Sequence, residues 1–289
     1  MPKPSSNPVS SVTRYQNAAL NYYLKLTGSP YLHYGYWEPL PTSTEERSLY
    51  RLRIAQEAYS KKLLSFMPSE IQTLLDVGCG IGGNAFFLLK QGLDVEGLAP
   101  DPFQKEKFLE MTEGQAIFHL MKFEDFTAKT LYDLVLLSES SQYMAAIDIA
   151  QGAAKALKPG GYLLLADMLR SDASYSEGIF SNCHVVEEFD QALSTAGFRL
   201  VKREDISPQV APTLDLAIEH LRQFGLSTGE YIGNVLEIAV PPLYAILKWA
   251  YGRWLEKPLL EGLEARKIFD RHLCYEIQLW QRSDEDFNF

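Results

Sequence analysis

In the stretch Asp76-Val77-Gly78-Cys79-Gly80-Ile81-Gly82-Gly83, one carboxylate is followed by a run made almost entirely of glycine and cysteine. Gly78, Gly80 and Gly82 lack a Cβ, so backbone there can touch a ligand and take positive φ. A tight turn alone does not require three alternating glycines and a fourth at Gly83. Two ligand chemistries compete. Gly78, Gly80 and Gly83 meet a dinucleotide-binding spacing, which also asks for an acid at the end of the next strand to hold a ribose. Ala99 stands at that place. Asp76 occupies a position where dinucleotide-binding strands carry an apolar or small residue, and a carboxylate there suits a ligand bearing a cationic ammonium.

Other residues could move protons. Glu139 closes an apolar run, and a strand-end carboxylate in an apolar cleft has its pKa raised by desolvation. Its alternative is a loop-bracing or capping acid. His33, inside the aromatic stretch "LHYGYWE", and His184, before a helix, are candidate bases weighed against ordinary packing histidines. Tyr143 could hydrogen-bond a substrate or stabilise positive charge, but its ordinary pKa makes it a poor base at neutral pH. His119, His220 and His272 sit in no motif and read as structural. Cys79, Cys183 and Cys274 are far apart, without the paired spacing of a metal site. That usage points to a reducing compartment, with no disulfide framework and no metal.

The elements that must position these groups alternate. "TLLDV" reads as a strand, "NAFFLLKQG" as a helix, "DVEGL" as a strand, and Pro102 to Met111 as a helix. "AIFHL", "YDLVLLS", "GYLLLADM" and "FRLVKRED" are further strands. "AIDIAQGAAKAL", closed by "KPGG", and "VVEEFDQALSTAG" are helices. Runs this apolar are buried on both faces, which predicts an α/β fold with a doubly wound, mostly parallel sheet. Helical periodicity over residues 12–26 and 44–66, the latter stopped by Pro68, predicts N-terminal helices. Residues 1–11 read as a disordered tail. Residues 208–270 break the strand–helix rhythm and read as a helical lid inserted before a last strand, "LCYEIQLWQR". The core is thus 12–207 plus 271–283, with seven strands. Trp249, Trp254 and the tyrosines of the insertion could line an apolar tunnel; the alternative is a helical cap facing the sheet.

The chain has 289 residues and a formal net charge of -10, with no lysine or arginine run. A nucleic-acid partner would need a basic patch and is disfavoured. The greasiest segment is broken by Glu237, Pro241, Pro242 and Lys248, so no transmembrane span is expected. The N-terminus lacks the apolar core of a signal peptide, and a cytoplasmic location is the expectation. Nothing in the sequence bears on oligomeric state.

"DVGCGIGG" resembles the first motif of class I S-adenosylmethionine-dependent methyltransferases. "LHYGYWE", "VEGLAPDPFQ" and "LSESSQYM" resemble segments of the small-molecule branch containing tocopherol methyltransferases and cyclopropane-fatty-acid synthases. "DISPQVAPTLD" resembles the entry to that branch's substrate lid. The likeness runs in order through residues 12–282 and implies a Rossmann-like methyltransferase fold with S-adenosyl-L-methionine as cofactor. It implies that Gly78, Cys79, Gly80 and Gly82 flank the cofactor and that Asp76 supports the loop and the amino-acid end. Asp101 and Gln104 become the ribose ligands. Phe123 packs on the adenine, and Glu124 bonds it or is a solvated loop acid. Ser138 faces the cofactor. Tyr34 and Tyr36 lie over the sulfonium, at roughly 0.5–2 kcal/mol per ring, or serve only as an aromatic hinge. Related enzymes often carry Glu-His where Gln142-Tyr143 stands here. The implied activity is in-line methyl transfer to a small apolar or amphipathic metabolite, isoprenoid, aromatic or lipid-like, as in natural product biosynthesis. An alkene alkylation of the cyclopropane kind is a close variant. A dinucleotide-dependent oxidoreductase and a non-catalytic S-adenosylmethionine-binding protein are the alternatives.

Overall fold

A computed structural model describes residues 24–226 and 256–283, with scattered positions between 231 and 252. The expected tail, most of the first expected helix, and Trp249 and Trp254 lie outside the described residues.

Seven strands form one sheet in the order β3-β2-β1-β4-β5-β7-β6. They are β1 (Thr73–Val77), β2 (Asp94–Ala99), β3 (Ile117–Leu120), β4 (Tyr132–Ser138), β5 (Leu157–Arg170), β6 (Phe198–Asp205) and β7 (Leu273–Arg282). The first five run parallel, whereas β7 is antiparallel to both β5 and β6. Helices α1 (Leu49–Leu64), α2 (Gly83–Lys90), α3 (Pro102–Met111), α4 (Ala146–Ala156) and α5 (Val186–Thr195) alternate with the strands. α6 (Ser207–His220), α7 (Glu256–Leu263) and α8 (Ala265–His272) lie between β6 and β7. The expected α/β architecture is therefore present, and the helices of the insertion precede the returning strand.

Two boundaries differ from the sequence reading. α1 starts at Leu49 rather than near residue 44, because Ser48 is extended and its side chain accepts from the Arg51 N–H; a capping serine starts a helix where it stands. "KPGG" does not simply end α4. Leu157 already pairs with Tyr132, and regular pairing resumes at Leu134 with Tyr162. Residues 158–161 form an excursion within β5, with Gly160 at φ 72°.

Chain order reverses between β1 and β4, whose neighbours lead away in opposite directions. A crevice opens at the carboxyl ends of these strands. Beneath the glycine loop lies Phe108 of α3, which is wholly buried. A Cβ at Gly82 would lie 2.8 Å from that ring, and one at Gly97 2.5 Å from it. These glycines leave room for the phenylalanine that supports the loop from below. α6 is welded to the sheet: Val210, Ala211 and Leu214 share the core with Tyr275 and Ile277. Its Thr213 hydroxyl accepts from the Gly35 N–H and from the Trp37 indole. The first helix of the expected lid thus clamps the N-terminal aromatic segment.

Phe108→Ala removes a fully buried ring and leaves a cavity under the glycine loop. Stability in urea denaturation should fall by roughly 3–5 kcal/mol.

Candidate active site

The crevice holds a cavity of about 680 Å³. β1 ends in it, and its last turns show why the sequence is so bare. Gly78, Gly80 and Gly82 take φ of 74°, 55° and 89°. A Cβ on Gly78 would come within 2.3 Å of the Ser140 Cβ, and one on Gly80 within 3.1 Å of Leu32 Cδ1. Ser140 in turn donates to the Val77 carbonyl at 2.7 Å, tying the end of β1 to the end of β4.

Asp76 lies at the bottom of the loop, 2% exposed. Its Oδ2 has no hydrogen-bond partner, and burial alone pushes the carboxyl up to about 7. A buried carboxylate without a donor is costly unless a cation or donor reaches it. Cys79, also buried, has its thiol pushed up by burial and then by Asp76, so it is no thiolate.

The walls collect residues from distant parts of the chain. Asp101, Gln104, Phe123, Glu124 and Ser138 all border the cavity. Asp101 caps α3 by accepting from the Phe103 N–H at 2.8 Å through Oδ1. Phe123 is buried and packs across Gly152, where a Cβ would sit 2.7 Å from its ring. Glu124 is exposed. Tyr143, on the short helical turn Ser141–Tyr143, is 73% exposed at the rim.

Glu139 is held by groups from two distant parts of the chain. It takes a left-handed backbone, φ 56°, a conformation that costs a non-glycine residue about 1 kcal/mol. Its Oε1 accepts from the Tyr34 N–H and from the Tyr275 hydroxyl, both at 2.7 Å. Burial raises its pKa to about 8, with Tyr34 and Tyr275 pulling down and Asp167 pushing up. Asp167, raised by burial to about 6, accepts from the Ser141 N–H and hydroxyl at 2.8 and 2.7 Å. It holds the turn that follows Glu139.

His33 borders the cavity, stacked on Tyr59 with ring centroids 4.2 Å apart. Its Nδ1 donates to the Tyr34 carbonyl at 2.7 Å, and Nε2 is buried without a partner. Burial lowers its pKa to about 4, so the ring is neutral at physiological pH.

Three sequence expectations are corrected. Tyr34 and Tyr36 do not border the cavity; Tyr31, Leu32 and His33 do. Tyr36 is pinned by its N–H to the Ala55 carbonyl, and its ring turns toward Lys62, 5.3 Å away. Tyr34 contributes its amide instead, while its ring lies 5.8 Å from that of Tyr275. His184 is no free base, because its Nε2 donates to the Ser141 carbonyl at 2.9 Å. It too does not border the cavity. Sequence reasoning missed Tyr59, Tyr275 and Asp167. Tyr59 stands in the apolar stripe Leu52-Ala55-Tyr59-Leu63 of α1, where a buried hydroxyl demands a partner.

Among the described residues no group of three His, Cys, Asp or Glu side chains could hold a metal ion. No described helix is long and apolar enough to cross a membrane.

A glycine loop at the switch point of such a sheet, with a buried acid beneath it, defines a nucleotide-cofactor-binding α/β protein. The chain matches the methyltransferase domain family over residues 51–203 and belongs to it, with S-adenosylmethionine as its cofactor. That removes the dinucleotide alternative. The chain is 24% identical over 238 residues to an O-methyltransferase of Pyrenophora dematioidea, covering 76% of this chain and 86% of that one. Its fold is similar to that of geranyl diphosphate C-methyltransferase from Streptomyces coelicolor A3(2). The TM-score is 0.66 at 16% identity, covering 97% of this chain and 100% of that one. It is also similar to cyclopropane synthase MmaA2 from Mycobacterium tuberculosis, with a TM-score of 0.66 at 18% identity, covering 96% and 100%.

Gly80→Val should abolish binding of S-adenosylhomocysteine in calorimetry, because the side chain would press on Leu32 from a backbone that disfavours β-branching. The buried acids set a second expectation. Folded Asp167, Asp76 and Glu139 keep protons to about 6, 7 and 8, whereas the unfolded chain releases them near 4. Stability therefore falls as pH rises through this window. The Tm of the unliganded protein should drop between pH 5 and 8, and Asp76→Asn should flatten part of that drop.

Proposed function

We propose that the protein methylates a hydroxyl of a small, uncharged, apolar or amphipathic metabolite, with Glu139 as the general base. The observation that carries this reading is the Glu139 carboxylate. Oε1 is held by two donors, while the side chain borders the cavity, so Oε2 is the atom that meets substrate.

The cavity fits S-adenosylmethionine. Asp76 lacks a donor, and an ammonium supplies one. The glycine loop leaves the space beside it that a Cβ would fill. In this reading Asp101 and Gln104 hold the ribose hydroxyls, Phe123 covers the adenine and Glu124 bonds its amino group. Ser138 and the backbone around Cys79 face the amino-acid end. When bound, the cofactor supplies an electrophilic methyl on a sulfonium.

The chain's own residues do the rest. Glu139 Oε2 accepts the proton of the substrate hydroxyl. Its raised pKa suits that task, since a base near the working pH combines availability with strength. The neutral His33 presents no competing charge. Alignment of acceptor and methyl group supplies the remaining acceleration. Of the described ionisable residues bordering the cavity, Asp76, Asp101, Glu124 and Glu139 are acids and Lys122 alone is a lysine or arginine. This wall disfavours a diphosphate and favours a neutral acceptor. In this reading the helical insertion over residues 208–270 selects the substrate, and a cytoplasmic location fits the free, buried cysteines.

The test is methyl transfer from labelled S-adenosylmethionine to a panel of phenols, alcohols, amines and prenyl diphosphates. Label should appear on hydroxyls, and transfer to a prenyl diphosphate carbon alone would overturn the reading. With the acceptor found, kcat/KM should rise with pH through about 8 in the native enzyme. Glu139→Gln should lower kcat by roughly 10²–10⁴ and remove that limb, with little change in cofactor affinity.

A further inference from the structure

Behind Glu139 runs a chain of hydroxyls of which the methyltransferase reading has used only Ser138 and the Tyr275 contact to Glu139. The Tyr275 hydroxyl donates to Glu139 Oε1 at 2.7 Å. Its single proton is spent there, so its oxygen must accept from the Tyr59 hydroxyl, also 2.7 Å away. Tyr59 in turn lies 3.2 Å from Ser138 Oγ, and with its own proton committed it accepts from that serine. Ser138 then accepts from the Asn84 amide nitrogen at 3.3 Å. Asn84 is oriented by the Ser60 hydroxyl, which donates to its Oδ1 at 2.7 Å.

Every proton in this series points the same way. A hydroxyl chain relays a proton only if each link can reverse, and an amide nitrogen donates without accepting. With Asn84 at its far end, the chain is a one-way ladder of donors. We propose that Tyr275, with Tyr59 behind it, is a positioning pair that stabilises ionised Glu139 and directs its proton traffic through Oε2 to the cavity. The inference rests on the reading of Glu139 as base. The proton that Oε2 takes from substrate leaves by the same atom, and no bond other than that O–H forms or breaks.

The surroundings leave this task to the ladder. The titratable groups around Glu139 are Tyr34 from the N-terminal segment, Tyr59 from α1, Asp167 from β5 and Tyr275 from β7. Cys183 adjoins Tyr34, and the neutral His33 stacks on Tyr59. None is a cation, and Asp167 opposes a second negative charge. Burial raises all three tyrosine hydroxyls above their ordinary range, so they remain donors across the working pH. Dipoles must do what a lysine or arginine does elsewhere, and successive donors polarise one another in the same sense.

The test needs no substrate. Infrared titration of the unliganded protein follows the carboxylic-acid stretch of Glu139, identified as the band lost in Glu139→Gln. Tyr275→Phe keeps the ring and removes the donor, and it should move the midpoint up by about 1 to 2 pH units, the size of one hydrogen bond to a charged group. Tyr59→Phe keeps the ring stacked on His33 and should move it in the same direction by less. It also serves alone if Tyr275→Phe fails to fold. A midpoint unchanged in either folded variant overturns the ladder and leaves the base reading intact. If the native protein shows no titrating band that Glu139→Gln removes, the base reading fails and the ladder with it.

Discussion

Three carboxylates, two buried and one half-buried, lie at the carboxyl edge of one sheet, and among the described residues no cation pairs with any of them. Asp76, Glu139 and Asp167 all have their pKa raised by burial before any other influence. Much of the site's architecture is a response to that constraint. Asp167 is satisfied within its own turn by Ser141 and the Met168 N–H. Glu139 is satisfied on one oxygen by the N-terminal segment and by β7. Asp76 is left with one buried oxygen unpartnered, which in the proposed reading an ammonium satisfies. The site thus spends folding stability at neutral pH to keep two carboxylates ready for ligands.

The insertion before the last strand gains a second meaning in this light. β7 returns antiparallel between β5 and β6, and its register sets Tyr275 opposite Met168, one residue beyond Asp167. That brings a hydroxyl from near the end of the chain onto an acid at residue 139. α6 fixes the other donor: Thr213 holds Gly35 and Trp37, and Gln209 accepts from the Trp37 N–H. These bonds flank Tyr34 and aim its amide. Elements that look peripheral in sequence therefore arm the central carboxylate.

Methyl transfer asks little covalent chemistry of the protein, so the fold tolerates wide divergence around the cofactor loop. In this chain Gln142 and Tyr143 stand where the resemblance leads one to expect a Glu-His pair, so no histidine is present at that place. Glu139, three residues earlier and held in a left-handed backbone, is the acid that the proposed reading puts to use as the base. The short-range strain at Glu139 is offset by its N–H bond to the Ala166 carbonyl and by the two donors on its side chain.

Local physics alone determined the strands, their alternation with helices and the glycine loop. Periodicity and missing Cβ atoms are properties of neighbouring residues. For the same reason Asp76, Gly78, Gly80 and Glu139 were legible as candidates, and Phe123 through the family resemblance; all five border the cavity. Tyr34, Tyr36 and His184 were misplaced because residue type says what a side chain can do, not which way an extended segment turns it. Tyr36 faces Lys62, and His184 spends its donor on Ser141, only because α1 and the Ser141 turn pack where they do. Tyr59 and Tyr275 lie 216 residues apart and share one hydrogen bond. No spacing in the chain announces that contact. Only the insertion of β7 between β5 and β6 brings the two hydroxyls together, and tertiary structure alone decided how Glu139 is held.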